Sequence, residues 1–379
     1  MSISFAGSPN PTVGVEVEVQ LIDPKTLDLV PRSIELLDIC KKHKIDGAKA
    51  EITQAMLEID SFAANDIKEC RKRLQERLTH LRSAASELGV KLNMSGTHPF
   101  QRWTDLKIFP NPRFEQLIKK FQWLARRLTV YGAHIQIGVA NGEQAIAVSN
   151  HVIQYLPHLL ALSASSPYWE GLDTGLQSCR IGILESFPIS GLPYYFPDWS
   201  GFEDYCATLL NIGAIESIKD IYWFVRPRPD LGTLEFRICD GMPTLTETVA
   251  VAALTQALVV WITEGLKDGS RKKEVSMRRY WIAPENQWTA TRDGLDGMLI
   301  IDEGGRRRKL SEDLLELIET LRPTARKLNS EEELLYVKQM ICHGSSAARQ
   351  RAEFVRTGRL TAVVHKLLEE FDTDQPATS

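Results

Sequence analysis

The segment Thr12–Ile22 alternates apolar and polar residues, and this alternation constrains the fold more than any other feature of the chain. Successive side chains of a β-strand point to opposite faces, so four valines point one way while Glu16 and Glu18 point the other way. Two carboxylates this close repel each other unless a cation or solvent screens them. The segment therefore predicts a strand with one buried face. Its acidic face is either solvated or a cation site.

The same alternation recurs in three further segments: Leu57–Asp60, Ala133–Val139 and Thr233–Cys239. Their polar positions are occupied, in chain order, by Glu58, Asp60, His134, Gln136, Glu235 and Arg237. Glu51 cannot share the face of Glu58 on an unbroken strand, but an intervening turn would bring the two carboxylates together. Strands with one apolar face are typical of antiparallel sheets, because buried parallel strands are apolar on both faces.

Helical patterns are interleaved with these strands. They are predicted over Ile67–Leu88 (capped by Asp66), Arg113–Tyr131, Gln144–Leu162, Phe202–Ile212, Leu245–Leu266, Glu312–Leu321, Glu331–Cys342 and from Ser345 to about Phe371. Two more strands are predicted at Lys91–Thr97 and Ile221–Val225. Together they predict an α+β fold, with a mainly antiparallel sheet and helices on one of its faces. Since no linker divides the chain, we expect a single domain over residues 1–371 and a flexible tail over residues 372–379.

The charges nearly balance, with 45 basic and 49 acidic residues and a net charge of −4. Nucleic-acid-binding domains are commonly basic overall, so we expect no nucleic-acid partner. No apolar run approaches the roughly 18 to 20 residues of a membrane span, and the N-terminus lacks a secretory signal. Six scattered cysteines without a CxxC pair indicate reduced thiols. These features predict a cytoplasmic protein without a membrane partner.

The carboxylates on the predicted sheet suit a hard divalent cation. Mg²⁺ and Mn²⁺ prefer oxygen ligands, and Mg²⁺ often completes its shell with substrate phosphates, so a nucleotide is the expected partner. His134 alone would be a structural histidine more often than a ligand, but its acidic neighbours favour a ligand. Candidate phosphate contacts are Arg226, Arg228, Arg237 and Arg292, although each alone is also explained as a surface arginine. The segment around Arg292 reads as another strand. Neither a P-loop nor a GxGxxG fingerprint is present.

Seven segments of the sequence resemble successive motifs of one known family. They are GVEVEVQLID (14–23), EITQAMLEID (51–60), GTHPF (96–100), GAHIQIG (132–138), ALSASSPYWEGLDTGLQSCR (161–180), VRPRPDLGTLEFRICD (225–240) and WTATRDGLDG (288–297). The chain is identified by them as a member of the bacterial type-2 glutamate–cysteine ligases, also called ATP-dependent carboxylate–amine ligases. This family belongs to the glutamine-synthetase-like superfamily. The resemblance extends over roughly residues 12–365.

The resemblance implies a curved antiparallel sheet that forms the floor of a bowl, with ATP and several Mg²⁺ ions bound on that floor. The implied metal ligands are Glu16, Glu18, Glu58, Glu235 and His134. The implied contacts to ATP are His134, Gln136, Arg237 and Arg292, with Arg237 and Arg292 acting in catalysis. Glu51 would lie near the amino-acid substrate or a metal and act in catalysis, and Arg180 and Arg226 would bind substrate.

The implied reaction joins a carboxylate, the γ-carboxylate of L-glutamate, to an amine such as L-cysteine through an acyl phosphate. One departure bears on the substrate: many members have a second histidine where this chain has Gln136. The same chemistry with another amine acceptor is therefore an alternative. Two others are a metal-dependent phosphotransferase or hydrolase and a non-catalytic nucleotide-binding protein. The family precedent also raises a homo-oligomer as an option.

Overall fold

The alternating segments of the sequence form a seven-stranded sheet at the centre of the molecule. The computed structural model describes residues 2–376. Its strands are β1 (Val13–Ile22), β2 (Ala48–Ala50), β3 (Met56–Asp60), β4 (Lys91–Asn93), β5 (Ala133–Gly138), β6 (Tyr168–Trp169), β7 (Leu172–Asp173), β8 (Ser190–Gly191), β9 (Tyr222–Trp223), β10 (Val225–Arg228), β11 (Thr233–Phe236), β12 (Met298–Ile300) and β13 (Arg307–Lys309). The main sheet has the order β10-β11-β5-β1-β3-β2, and β4 pairs with the end of β1. All of its pairings are antiparallel.

The register of these pairings places the valines of β1 and their apolar partners on β3 and β5 on one face. Val15 lies opposite Ile135, and Val17 lies opposite Ile59; all four side chains are buried. Removing a side chain of this size from water contributes about 1.5–3 kcal/mol. The buried face is therefore the core, and the acidic face of the same strands points away from it.

Fourteen helices are present within residues 2–376. They are α1 (Ser33–His43), α2 (Ile67–Glu87), α3 (Pro112–Phe121), α4 (Trp123–Arg126), α5 (Gly142–Val152), α6 (Leu156–Ser163), α7 (Cys179–Glu185), α8 (Trp199–Asn211), α9 (Leu245–Lys267), α10 (Met277–Asp293), α11 (Leu310–Lys327), α12 (Glu331–His343), α13 (Ser346–Thr357) and α14 (Leu360–Thr373). Helices α2 and α9 contact β1, and α9 is in turn packed against α11 and α12. The predicted α+β class is confirmed, whereas the bowl shape stays a prediction.

Helix α9 passes the length and composition test for a membrane span, which no stretch was expected to do from the sequence. It has 23 residues, and 72% of its most apolar window is buried inside the molecule. Because it is surrounded by α2, α5, α6, α11 and α12, its apolar character is explained by the core.

Three of the predicted helices are shorter or divided. The helix predicted over Arg113–Tyr131 is interrupted at Gln122, whose φ of 50° lies in the left-handed region. The helix predicted to run from Ser345 is divided at Gly358, which has a φ of 67°. The third, Gln144–Leu162, is divided into α5 and α6, and Pro157 occupies the first turn of α6. Proline is tolerated at that position because the first turn has no partner for its amide.

The segment predicted as a tail begins inside the last helix. Asp372 accepts a bond from Lys91, and the carboxylate of Asp374 accepts bonds from the amide and hydroxyl of Thr246 at 2.9 and 2.8 Å. Residues 377–379 lie outside the described part of the chain.

Candidate active site

Strands β1 and β3 place four carboxylates in two facing pairs on the polar side of the sheet. Glu16 lies opposite Asp60, and Glu18 lies opposite Glu58. Burial first, and then the charge of Glu16, raise the pKa of Glu58 to about 7. Burial and the charge of Glu235 also raise the pKa of Glu16. These raised pKa values reflect burial first and mutual repulsion second, and a bound cation would relieve both.

The next two strands add an imidazole and a further carboxylate. His134 on β5 lies opposite Glu16, with its Nδ1 3.8 Å from Glu16 Oε2. One ligand atom from each of Glu16, His134 and Glu235 lies within 4.8 Å of the other two. Burial, and then the charge of Arg237, lower the pKa of His134 to about 3. The imidazole is therefore neutral at physiological pH and keeps a lone pair for a metal.

Glu235 is surrounded by arginines. Arg226 Nε donates to Glu235 Oε2, Arg237 Nη1 donates to Oε1 at 3.0 Å, and Arg228 Nη1 lies 3.6 Å from Oε1. Burial opposes ionisation of Glu235, but the charges of Arg226 and Arg237 outweigh it and hold the pKa of this carboxyl far below its usual range. The part of the sheet around Glu235 therefore carries excess positive charge, which suits a phosphate.

The turn after β2 brings Glu51 beside the carboxylates of β1 and β3, as the sequence required for the two to meet. Burial, followed by the charges of Glu18 and Glu58, raises the pKa of Glu51 well above its usual value. Among the described residues, the backbone amide of Ile52 donates to Glu51 at 3.3 Å. Glu51 is thus a stronger base, when ionised, than an ordinary glutamate.

Arg180 extends from α7 to the polar side of the sheet, where its guanidinium is held by backbone carbonyls and a carboxylate. Its guanidinium donates to the carbonyls of Arg237 and Ile238 at 3.1 and 3.4 Å and lies 3.8 Å from Asp240. Gly132 allows this approach, because a Cβ at that position would lie 2.3 Å from Arg180 Nη2.

These residues line a cavity of about 440 Å³. Its floor includes Glu16, Glu18, Glu51, Glu58, His134, Arg180, Arg226, Glu235 and Arg237. Its walls include Arg113, Phe114, Leu117, Leu128, Val130, Leu184 and Phe187. A polar floor with apolar walls is the usual form of a small-molecule site.

Two predicted site residues lie elsewhere. Arg292 belongs to helix α10 instead of a strand; its exposed guanidinium pairs with Asp293 at 2.7 Å, and it does not line the cavity. Gln136 is opposite Glu235 in register but is also outside the lining of the cavity. Its Oε1 accepts the Thr233 hydroxyl at 2.6 Å, and its buried Nε2 has no partner among the described residues.

Sequence reasoning missed four polar residues of the cavity: Lys49, Arg113, Lys219 and Tyr222. Lys49 lies in the three-residue strand β2, which is too short to show a period. Lys219 lies in a single 3-10 turn and Tyr222 in the two-residue strand β9, both just before β10. Lys49 could have been found from its position two residues before Glu51, because a turn had to bring that part of the chain toward the sheet.

The donor set fits a divalent cation and a polyphosphate. Glu16, His134 and Glu235 supply two carboxylates and a neutral imidazole, and Glu18, Glu51 and Glu58 supply three more carboxylates with raised pKa values at two of them. Hard cations prefer such ligands, and arginines beside them complement phosphate oxygens. The geometry therefore suits magnesium- or manganese-dependent phosphoryl chemistry.

Comparison with known proteins identifies the family. The model of glutamate-cysteine ligase family 2 (GCS2) matches residues 12–366. A relative from Gloeobacter violaceus, provisionally named glutamate–cysteine ligase 2, is 40% identical over 372 residues, which cover 97% of this chain and 98% of the relative. A relative from Frankia alni, provisionally named glutamate–cysteine ligase 2-1, is 38% identical over 384 residues and covers all of both chains.

Two solved structures share the fold at low sequence identity. A glutamate–cysteine ligase from Francisella tularensis in complex with AMP has a TM-score of 0.69 at 13% identity, covering 97% of this chain and 90% of its own. A bifunctional glutathione synthetase from Pasteurella multocida has a TM-score of 0.68 at 14% identity, covering 96% of this chain and 52% of its own. By its match to the family model and to full-length relatives, the chain belongs to glutamate-cysteine ligase family 2 and is an ATP-dependent ligase.

Proposed function

We propose that this ligase joins the γ-carboxylate of L-glutamate to the amine of L-cysteine through an acyl phosphate. The relatives are named for glutamate and cysteine, and the cavity supplies groups that such a reaction needs. The observation that carries the proposal is the convergence of Glu16, His134 and Glu235 within 4.8 Å, beside Arg237 and at the floor of the cavity.

The residues assigned to the metal are Glu16, Glu18, Glu58, Glu235 and His134. Bound there, Mg²⁺ would neutralise charge on the transferred phosphoryl group, and Mn²⁺ could take its place. Arg237, held 3.0 Å from Glu235, is assigned to the phosphates of ATP. Arg226 is assigned a substrate-binding role together with Arg180, whose buried guanidinium suits a carboxylate.

The proposed chemistry has two steps. An oxygen of the γ-carboxylate attacks the γ-phosphorus of ATP, the bond to the β-phosphate oxygen breaks, and ADP leaves. The amine then attacks the acyl carbon, and phosphate leaves with the bonding electrons. Glu51, in its ionised form, would accept the proton that the amine loses, because its raised pKa makes that carboxylate a stronger base than an ordinary glutamate.

The test is incubation of the purified chain with ATP, Mg²⁺, glutamate and one amine at a time. ADP is followed by a coupled assay, and the product by its mass. We expect ADP and γ-glutamylcysteine with cysteine. A product with another amine only would replace the acceptor and keep the ligase chemistry. Phosphate release without any amide would favour a hydrolase or phosphotransferase.

A further inference from the structure

Lys49 supplies a positive charge to two buried carboxylates on the polar side of the sheet, Glu58 and Asp60. It lies opposite Glu58 across β2 and β3, with its Nζ 3.0 Å from Glu58 Oε1 and 2.6 Å from Asp60 Oδ2. The carboxylate side chains are 12% and 5% exposed, whereas the Lys49 side chain is 50% exposed. The ammonium therefore reaches buried acids from a stem that lies partly in solvent.

The other cations of the floor are held differently. Arg226, which pairs with Glu235, also donates to the carbonyls of Lys219 and Ile221 at 2.8 and 2.6 Å. Its guanidinium is buried and fixed by the backbone. Lys49 has a flexible four-carbon stem and is anchored to the two carboxylates. Of these two cations, Lys49 is therefore the one that can withdraw without breaking bonds to backbone.

We propose that the Lys49 ammonium is the resident cation of the Glu58–Asp60 pair, and that a divalent cation binds these carboxylates by displacing it. This inference rests on the metal site of the proposed function and adds Asp60 and Lys49 to it. Magnesium binds carboxylate oxygens at about 2.0–2.1 Å. A metal that close to the same oxygens would face the positive charge of Nζ at short range, so the two cations exclude each other.

The charges on the polar side of the sheet also favour the exchange of Lys49 for a divalent cation. Glu16 and Glu18 lie opposite the pair on β1, so four carboxylates are concentrated there. One ammonium neutralises a quarter of that charge, whereas a divalent ion neutralises half of it. Exchange of Lys49 for a metal therefore neutralises more of the charge on these carboxylates. The released ammonium remains in the same cavity as Arg113 and Arg237, where a phosphate can accept its hydrogen bonds.

The test measures Mn²⁺ binding to the nucleotide-free chain at pH 8.0, with the free ion quantified by electron paramagnetic resonance. Lys49→Met should tighten Mn²⁺ binding at least about tenfold, since the competing charge is gone. Lys49→Arg keeps that charge and should not tighten binding. The matched control is Lys219→Met, which removes a half-exposed ammonium of the same cavity that lies 3.9 Å from Asp230; it should change the affinity less than about threefold.

A second measurement uses the wild-type chain and does not depend on whether a variant folds. Acetic anhydride modification, quantified by peptide mass, should increase at Lys49 when Mg²⁺ is added and stay constant at Lys219. Equal Mn²⁺ affinity of the wild-type and Lys49→Met chains, or unchanged Lys49 reactivity, overturns the inference while the metal site stands. Absence of Mn²⁺ binding in the wild-type chain and in every variant overturns both the inference and the metal site. The ligase assay then shows whether the chain still catalyses the proposed reaction.

Discussion

Asp240 holds the guanidinium of Arg180 at 3.8 Å from a fully buried position behind the floor of the cavity. Its carboxylate also accepts bonds from the amide of Ser165 at 2.9 Å and from the hydroxyls of Ser166 and Ser178 at 2.7 and 2.8 Å. The two ends of the motif 161–180 are therefore joined at one carboxylate. Through this contact Asp240 orients Arg180, which lines the cavity.

Replacing Asp240 with asparagine should weaken carboxylate binding more than it slows turnover. The amide cannot neutralise Arg180, and its NH₂ group would face serine donors, at a cost of about 1–3 kcal/mol. We expect KM for glutamate to rise about tenfold, with KM for ATP and kcat changing less. Steady-state kinetics with each substrate varied measures this split. A general loss of activity with unchanged KM for glutamate would contradict it.

Gly132→Ala should impair the same function from the other side of Arg180. The new Cβ would lie 2.3 Å from Arg180 Nη2 and 3.2 Å from His134 Nε2, so the guanidinium must shift from the carbonyls that hold it. We expect KM for glutamate to rise at least about tenfold and the melting temperature to change little. Gly182→Ala is the control, because no atom lies within 4 Å of a Cβ at that position. Equal KM values in the two variants would argue against this role for Arg180.

The acidic face of the sheet could be predicted because side-chain direction in a strand is a local property with a period of two. Glu16, Glu18, Glu58, His134 and Glu235 thus follow from alternation alone. Their partners across the sheet required the register, which the sequence shows only indirectly.

Residues outside the long strands were predicted less well. Arg292 was predicted on a strand because a short mixture of apolar and polar residues is compatible with a strand and with a helix. The helix that contains Arg292 also includes Pro284, a residue disfavoured in helix interiors. Asp240 binds Ser166, 74 positions away in the chain, and such a contact leaves no local pattern. The turn that places Glu51 was foreseen as a requirement, whereas Lys49 beside it was missed.

Glu16→Gln and Glu235→Gln should each abolish ADP release, with losses of at least about 100-fold. Each amide keeps the shape of the side chain but removes a charge that the metal site requires. Glu235→Gln also leaves Arg226, Arg228 and Arg237 without their shared carboxylate, so its melting temperature should fall as well. ADP formation and thermal unfolding measure both effects, with exposed Glu274→Gln as the control. Normal turnover in both site variants would refute the assignment of these carboxylates to a metal.

Glu58 should make the metal-free protein less stable as the pH rises. Its pKa is about 7 in the folded chain and near 4.5 for an ordinary glutamate, so the folded state binds this proton more tightly. The stabilisation is complete below pH 4.5 and is lost as the pH rises through 7. The Glu58→Gln variant lacks this pH-dependent contribution to stability.

The free energy of unfolding of Glu58→Gln relative to wild type should therefore increase between pH 5 and pH 8, as measured by urea denaturation in EDTA. Millimolar Mg²⁺ should reduce the difference at pH 8, because the metal takes the place of the lost proton in the wild-type chain. A difference that is constant with pH would show that burial and the charge of Glu16 do not act on Glu58 as its surroundings indicate.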